Sequence, residues 1–316
     1  MRKKTLKVSV IVPAYNSENT IQDCLSTLFN QTVAKQIYEI IVIDDGSSDD
    51  TGSILKKLIT PDNFTYIQHS FNKGLAAARN TGIKKSSGTI LIFLDSDMEV
   101  ENNFIEKHID MHNDDNIKGV VSAIKPTKNM KYDKYQRYIY EGKRGARGFG
   151  PDKPIPFHTL IFGLTSMKRE VIKSCGLFDD GITRYGGEDT EYAYRVCKKY
   201  PKGFYYAPNI TVSHNHYRSI DSVLQLVQDF GRDVVPYIVN KHPEIAHIYG
   251  YDYYPGNIKM PGIFKNFLKI FAGMILKQQC TQSMIRQVYK ITPFPLSNGL
   301  VRVLMASSLL RGISKS

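Results

Sequence analysis

The 316-residue chain has no Trp and only four Cys. The missing Trp excludes nothing by itself in a chain with 20 Tyr. The cysteines are more informative. Cys24, Cys175, Cys197 and Cys280 are scattered, with no metal-type spacing and no dense pattern. That excludes a disulfide framework and reads as a reduced, cytosolic compartment. No stretch reaches the roughly 18 consecutive apolar residues of a membrane span. The start, Met1 to Lys7, is basic, but Pro13 interrupts the apolar run behind it and no small-residue cleavage site follows, so a strand is expected there rather than a signal peptide. No internal repeat is visible.

Negative charge is the scarcer sign. Asp and Glu total 30 against 42 Lys and Arg, a net charge of +12. Such a balance suits a polyanionic partner: nucleic acid, an anionic lipid surface or a phosphorylated substrate. The shortage is uneven. After Asp252 there is no acid at all, while Lys259, Lys265, Lys269, Lys277, Arg286, Lys290, Arg302, Arg311 and Lys315 follow. A hydrophobic fraction of 42% and a charged fraction of 23% are otherwise ordinary for a globular protein with a full core.

What is present is alternation. Val8-Ser-Val-Ile-Val-Pro13 is a β-branched run, and Asn19–Asn30 carries Ile21, Cys24, Leu25 and Leu28 at helical spacing. Strands are predicted over Glu39–Asp44, Phe64–Gln68 and Thr89–Leu94, and helices over Asp50–Leu58, Leu75–Lys85 and Val100–Asn113. This order argues for βαβ units and a mostly parallel sheet, whose ligands sit beyond the carboxyl ends of the strands. Each strong strand ends in polar residues: Tyr15-Asn16, Asp44-Asp45, and Asp95 with Asp97. From Lys125 to Pro156 the pattern breaks into a helix and a mobile, Gly- and Arg-rich loop. A strand (Thr159–Leu164), a helix (Lys168–Ser174), a loop bearing Gly186-Gly187-Glu188-Asp189, a helix (Asp189–Lys199) and a strand (Phe204–Ala207) are predicted next. Beyond Ser219 the chain reads as helical, most clearly over Val223–Asn240.

The candidate chemistry lies at those strand ends. In an extended segment the side chains of Asp95 and Asp97 point the same way, so two hard oxygen anions can face one small volume suited to Mg²⁺ or Mn²⁺. Taken alone, they can equally be solvated or cap the next helix. Asp45 stands where a carboxylate can accept hydrogen bonds from a base or ribose, or simply close an Asx turn. Arg79 can meet a phosphate or a neighbouring acid. Two glycines before Glu188 and Asp189 allow close approach of a substrate, and an acid there can act as general base or cap its helix. His214 and His216 can face one side, as a metal contact or as structural residues.

The order of these pieces is more specific than any one of them. Val-Ser-Val-Ile-Val-Pro-Ala-Tyr-Asn, Asp-Asp-Gly-Ser-Ser-Asp-Asp-Thr, Asn-Lys-Gly-Leu-Ala-Ala-Ala-Arg-Asn, Leu-Asp-Ser-Asp and Gly-Gly-Glu-Asp-Thr-Glu together resemble the family-2 glycosyltransferases of GT-A fold, over about residues 8 to 218. The resemblance implies an inverting enzyme that moves a sugar from a nucleotide-diphosphate donor, expected to be a UDP-sugar, to a hydroxyl of a glycan or lipid-linked acceptor. It implies a divalent metal, Mn or Mg, and a donor site of Pro13, Tyr15, Asp45, Arg79 and Asp95. Asp97 is implied as the direct metal ligand, with Asp95 beside it and either His214 or His216 as a further contact. Asp189 is implied as the catalytic base, with Glu188 next to it near the acceptor. Leu164, within Phe162-Gly-Leu-Thr-Ser166, departs from the family's Asn-X-Ser-like strand and leaves acceptor preference open.

A nucleotidyltransferase would favour a Gly-rich phosphate loop with a Lys near the first strand, where this chain has Pro13-Ala-Tyr-Asn. A catalytically inactive nucleotide-sugar-binding relative would be expected to lack Asp97 or Asp189, and both are present. Nucleic acid is not an expected partner, because no aromatic-interleaved recognition motif accompanies the charge. The expected organisation is therefore an α/β catalytic domain over residues 1–218 and a helical, basic region over 219–316. In that region, Pro261–Gln278 is read as an amphipathic helix for peripheral contact with the inner face of the plasma membrane.

Overall fold

The computed structural model describes residues 7–184, 186–250 and 271–315. These divide into two compact units: residues 1–130, 143–183 and 188–216, and residues 131–142, 184–187 and 217–316. A single cut after residue 218 misses the two short stretches, 131–142 and 184–187, that belong with the second unit.

The first unit is built on an eight-stranded mixed sheet. Its strands are β1 (Val8–Ala14), β2 (Tyr38–Asp44), β3 (Phe64–Gln68), β4 (Ile90–Leu94), β5 (Met98–Val100), β6 (Gly119–Pro126), β7 (Leu164–Lys168) and β8 (Phe204–His214). Their order across the sheet is β3-β2-β1-β4-β7-β6-β8-β5. β1, β2, β3 and β4 pair in parallel, as the βαβ alternation predicts, and β7 enters antiparallel to β4. β1 and β4 are buried along their whole length, which is why they read as unbroken apolar runs.

The helices of this unit are α1 (Ile21–Phe29), α2 (Thr51–Lys57), α3 (Leu75–Lys85), α4 (Phe104–Met111), α6 (Arg169–Cys175) and α7 (Glu188–Lys199); α5 lies in the second unit. α1 buries Ile21, Cys24, Leu25 and Leu28, the face that its spacing marked. Three expectations need correction. The strand expected at Thr159–Leu164 begins only at Leu164, after a 3-10 turn at Phe157–Thr159. The last predicted strand runs on to His214, kept extended by pairing with β6 and β5. The Gly- and Arg-rich stretch, expected as a loop, forms a 3-10 turn at Gly145–Gly148, where Arg147 Nη2 donates to the Ile124 carbonyl at 3.0 Å and Ala146 is buried.

The second unit is helical: α5 (Lys134–Tyr140), α8 (Ile220–Asp233), α9 (Val235–Lys241), α10 (Gln279–Ile291) and α11 (Ser297–Ile313). Tyr135, Tyr138, Leu224, Tyr289, Val301 and Leu304 form its core. Lys134 Nζ donates to the carbonyls of Tyr289, Lys290 and Thr292 at 2.8, 2.8 and 3.1 Å, closing the C-terminus of α10 where the helix dipole favours a cation. Of the predicted helix Pro261–Gln278, residues 261–270 lie outside the described residues, and residues 271–276 are helical. No helix among the described residues is long and apolar enough to cross a membrane.

Candidate active site

The carboxyl ends of β1, β2 and β4 meet, and each is fastened to the next. Beyond β1, Asn16 takes a left-handed conformation (φ 49°). Its N–H donates to Ser47 Oγ at 3.0 Å, and its Oδ1 accepts from the Ser48 N–H at 2.9 Å, joining the turn after β1 to the turn after β2. Ser17 Oγ lies 2.8 Å from Ser96 Oγ, which joins the same turn to the end of β4. Asp95 and Asp97 are therefore set on a cross-braced edge and not on a free loop.

Asp97 faces the histidines. His214 Nε2 and His216 Nδ1 lie 3.3 and 3.5 Å from Asp97 Oδ2, because the antiparallel pairing of β5 with β8 sets Met98 opposite His214. Both imidazoles come to one side, their rings stacked at 5.9 Å. Burial would raise the Asp97 pKa, but the hydrogen bond and charge of His214, with His216, hold it below the ordinary value. Asp97 Oδ1 is buried and has no hydrogen-bond partner among the described residues. Among the described residues, no three His, Cys, Asp or Glu side chains form a closed metal cage. Asp97 Oδ1 with a nearby imidazole nevertheless fits a divalent ion that takes its other ligands from phosphate and water, as Mg²⁺ characteristically does. These donors do not choose between Mn²⁺ and Mg²⁺.

Arg79 holds the second cluster. It projects from α3, fully buried, with Nη1 2.6 Å from Asp189 Oδ1 and 3.4 Å from Glu188 Oε1, and Nη2 3.5 Å from Asp95 Oδ1. Its guanidinium also lies 5.4 Å from the ring of Phe178. Burial alone would lower its pKa, but Asp189, Asp95 and Glu188 raise it above the usual value. Of the two destinations open to Arg79 in the sequence, phosphate or acid, the structure takes the acids. Without these carboxylates the buried guanidinium would be left unpaired, which is costly.

Glu188 and Asp189 open α7, behind Gly186 and Gly187 at φ 90° and 93°, angles that a side chain resists. Neighbours in sequence, the two acids have different surroundings. The Glu188 side chain is 7% exposed and that of Asp189 is 21% exposed, so only Asp189 is open to a substrate. Burial, reinforced by the Asp189 charge, pushes the Glu188 carboxyl up to about 7. Asp95, partly withdrawn from water and close to Asp97 and Asp189, is pushed up to about 6 despite Arg79. Asp189 Oδ2 accepts the Phe162 N–H at 3.1 Å, so its position is fixed from two sides.

On the β1–β2 side the outcome is mixed. Tyr15 is half exposed at the strand end. Pro13 is buried within β1, opposite Ile43. Its missing N–H breaks no ladder bond: Ala14 bonds toward β2, so Pro13 faces β4, past the last β1–β4 rung at Ile11–Phe93. Asp45 points inward rather than into an open pocket. Its Oδ1 takes His69 Nδ1 at 2.6 Å and the Lys73 N–H at 3.0 Å, and its Oδ2 takes the Gly74 N–H at 2.8 Å. The carboxylate thus shapes the Asn72–Gly74 turn.

Two contributors went unnoticed in the sequence. His69 orients Asp45 and is itself held by Thr81 Oγ1 at 2.9 Å. Gly163 lies so close that a Cβ there would run into the Asp95 carboxylate, while its carbonyl accepts the Asp95 N–H at 3.0 Å. Only the Gly-Leu step before β7 hinted at the second, since a glycine entering a strand often marks close approach.

A family model described as Glycosyl transferase family 2 matches residues 9–176. The chain belongs to glycosyl transferase family 2. Among similar proteins of this family is an uncharacterized glycosyltransferase YfnE of Bacillus subtilis, 28% identical over 239 residues, covering 60% of each chain. Glycosyltransferase AglE of Haloferax volcanii is 43% identical over 103 residues, 32% of this chain and 34% of that protein. The chain thus spans less than two thirds of the length of these relatives. Among solved structures, the mannosyltransferase PcManGT from Pyrobaculum calidifontis, in complex with GDP-Man and Mn²⁺, superposes with a TM-score of 0.66 at 18% identity, over 98% of this chain and 88% of that one. S. aureus TarS 1-349 in complex with UDP gives 0.55 at 16% identity, over 98% and 90%. The fold is that of the GT-A glycosyltransferases.

Proposed function

We propose that the protein is an inverting glycosyltransferase that moves a sugar from a nucleotide-diphosphate donor, a UDP-sugar in the first instance, to a hydroxyl of a glycan or lipid-linked acceptor. The observation that carries this reading is the shared guanidinium: Arg79 draws Asp189, at the head of α7, and Asp95, at the end of β4, onto one side chain. A base for the acceptor and an acid of the donor side thereby come together at the edge where GT-A folds bind their ligands. Two structural neighbours are complexes with GDP-Man and with UDP-GlcNAc, which supports a nucleotide-sugar donor.

In this reading Asp189 Oδ2, which among the described residues receives only the neutral Phe162 N–H, takes the proton of the acceptor hydroxyl. The acceptor oxygen then bonds to the anomeric carbon from the face opposite the phosphate. The bond from that carbon to the phosphate oxygen breaks, and the nucleoside diphosphate leaves with the electron pair. One displacement inverts the anomeric configuration. Arg79 orients Asp189, and Tyr15 with the turn shaped by Asp45 flanks the nucleoside. Asp97, with His214 or His216, would hold a divalent ion whose charge neutralises the leaving diphosphate. The basic C-terminal region belongs to the same reading, as a peripheral attachment to the inner face of the plasma membrane.

The experiment is a donor screen. Purified protein, Mn²⁺ or Mg²⁺ and a panel of nucleotide sugars are scored by nucleoside diphosphate release, with Asp189→Asn as the blank. Release from one donor, absent in the variant, is expected. Release from none, or equal release by the variant, overturns the assignment.

A further inference from the structure

α10 has one face inside the second unit and one outside it. On the inner side Tyr289 lies in the core with Ile285 packed against it, Gln282 Nε2 donates to Ser308 Oγ at 2.6 Å, and Arg286 pairs with Asp221. On the outer side Met284, Val288 and Ile291 are 71%, 48% and 84% exposed. Their spacing of four and then three residues makes one continuous stripe on the helix surface. Single exposed apolar residues are ordinary, but an aligned row of large ones marks a contact surface. Leu296, in the turn before α11, adds a further large exposed side chain five positions beyond Ile291.

The charge around this stripe selects the partner. Lys290 is exposed within α10, Arg302 is exposed on α11, and no acid occurs anywhere from residue 253 to residue 316. An apolar protein partner would need no such one-sided field. A bilayer with anionic head groups needs both parts: apolar side chains for the acyl boundary and cations above them.

We propose that the outer face of α10 is a docking surface for an anionic lipid bilayer, with Met284, Val288 and Ile291 entering the head-group boundary and Lys290 lying at its phosphates. The proposal rests on the membrane-side reading above and gives it an address on the described structure, in the helix that follows directly on the segment the sequence pointed to. It does not depend on which residue is the catalytic base.

The test is flotation of the full chain with phosphatidylcholine vesicles, with and without phosphatidylglycerol. Wild type is expected to float with the anionic vesicles, to sink with the neutral ones, and to be released as salt rises. Met284→Ser/Val288→Ser/Ile291→Ser should lower the floated fraction by about tenfold or more, with an unchanged melting temperature and unchanged nucleoside diphosphate release. Val288→Trp, with an unchanged melting temperature, should raise the floated fraction, because Trp favours the interface. The proposal is overturned if wild type stays down with anionic vesicles at low salt, or if the triple variant floats as wild type does. It is also overturned if wild type is a dimer without lipid that the triple substitution dissolves, since the face then belongs to a second copy. Loss of flotation with transfer intact separates this surface from the proposed reaction.

Discussion

Arg79 and Asp189 are 110 residues apart in the chain, yet Nη1 of the first lies 2.6 Å from Oδ1 of the second. The same guanidinium reaches Glu188 and Asp95, so one buried cation sets the positions of acids from β4 and α7. Arg79→Met should leave three carboxylates without a counter-charge and cost about 3–5 kcal/mol of stability, measured by denaturant unfolding. Arg79→Lys keeps the charge but not the planar fork. It should melt closer to wild type and still lose much of kcat, with a smaller change in donor affinity.

Asp189→Asn preserves shape and removes the proton acceptor. Nucleoside diphosphate release in the presence of acceptor should fall by roughly 10²–10⁴-fold, while donor binding measured by calorimetry changes little. Near wild-type turnover would move the base elsewhere, with Glu188 the next residue to examine.

For the metal, excess chelator should stop turnover and added Mn²⁺ or Mg²⁺ should restore it. Asp97→Ala should not recover at ordinary metal concentrations. Since His214 and His216 both lie near Asp97 Oδ2, His214→Ala and His216→Ala need separate titration with Mn²⁺. Loss of the imidazole that belongs to the site should raise the half-saturating Mn²⁺ concentration, and loss of the other should not. Full activity in chelator would remove the metal from the scheme.

The Glu188 carboxyl, with a folded-state pKa pushed up to about 7 from an ordinary 4.5, has a stability consequence of definite sign. Between pH 4.5 and 7 the folded chain holds a proton there that the unfolded chain has released. This contribution is therefore fully present below pH 4.5 and is lost as pH rises through 7. Glu188→Gln should flatten that decline and stabilise the protein at pH 8 relative to wild type, by up to about 3 kcal/mol. Melting curves from pH 5 to pH 8 check it; parallel declines in both proteins would show that Glu188 is not the group responsible.

Local chemistry made much of this protein legible in its sequence. β-branched runs became buried strands and the Ile21-Cys24-Leu25-Leu28 spacing became the buried face of α1, because each follows from the backbone period of its own segment. The extension of β8 to His214 was not local. It depends on partners in β6 and β5 that lie far away in the chain. The same reason separates the outcomes among the site residues. That acids follow β4 was readable locally, but Asp95 and Asp97 lie in the turn between β4 and β5 and take different partners, Arg79 for one and the histidines for the other. That Arg79 turns to acids rather than phosphate, and that Asp45 closes on His69 and Gly74, depended on which long-range neighbours arrive beside each charge. A buried ion takes the partners that packing brings within reach, and packing is a property of the assembled sheet and helices, not of any one stretch of chain.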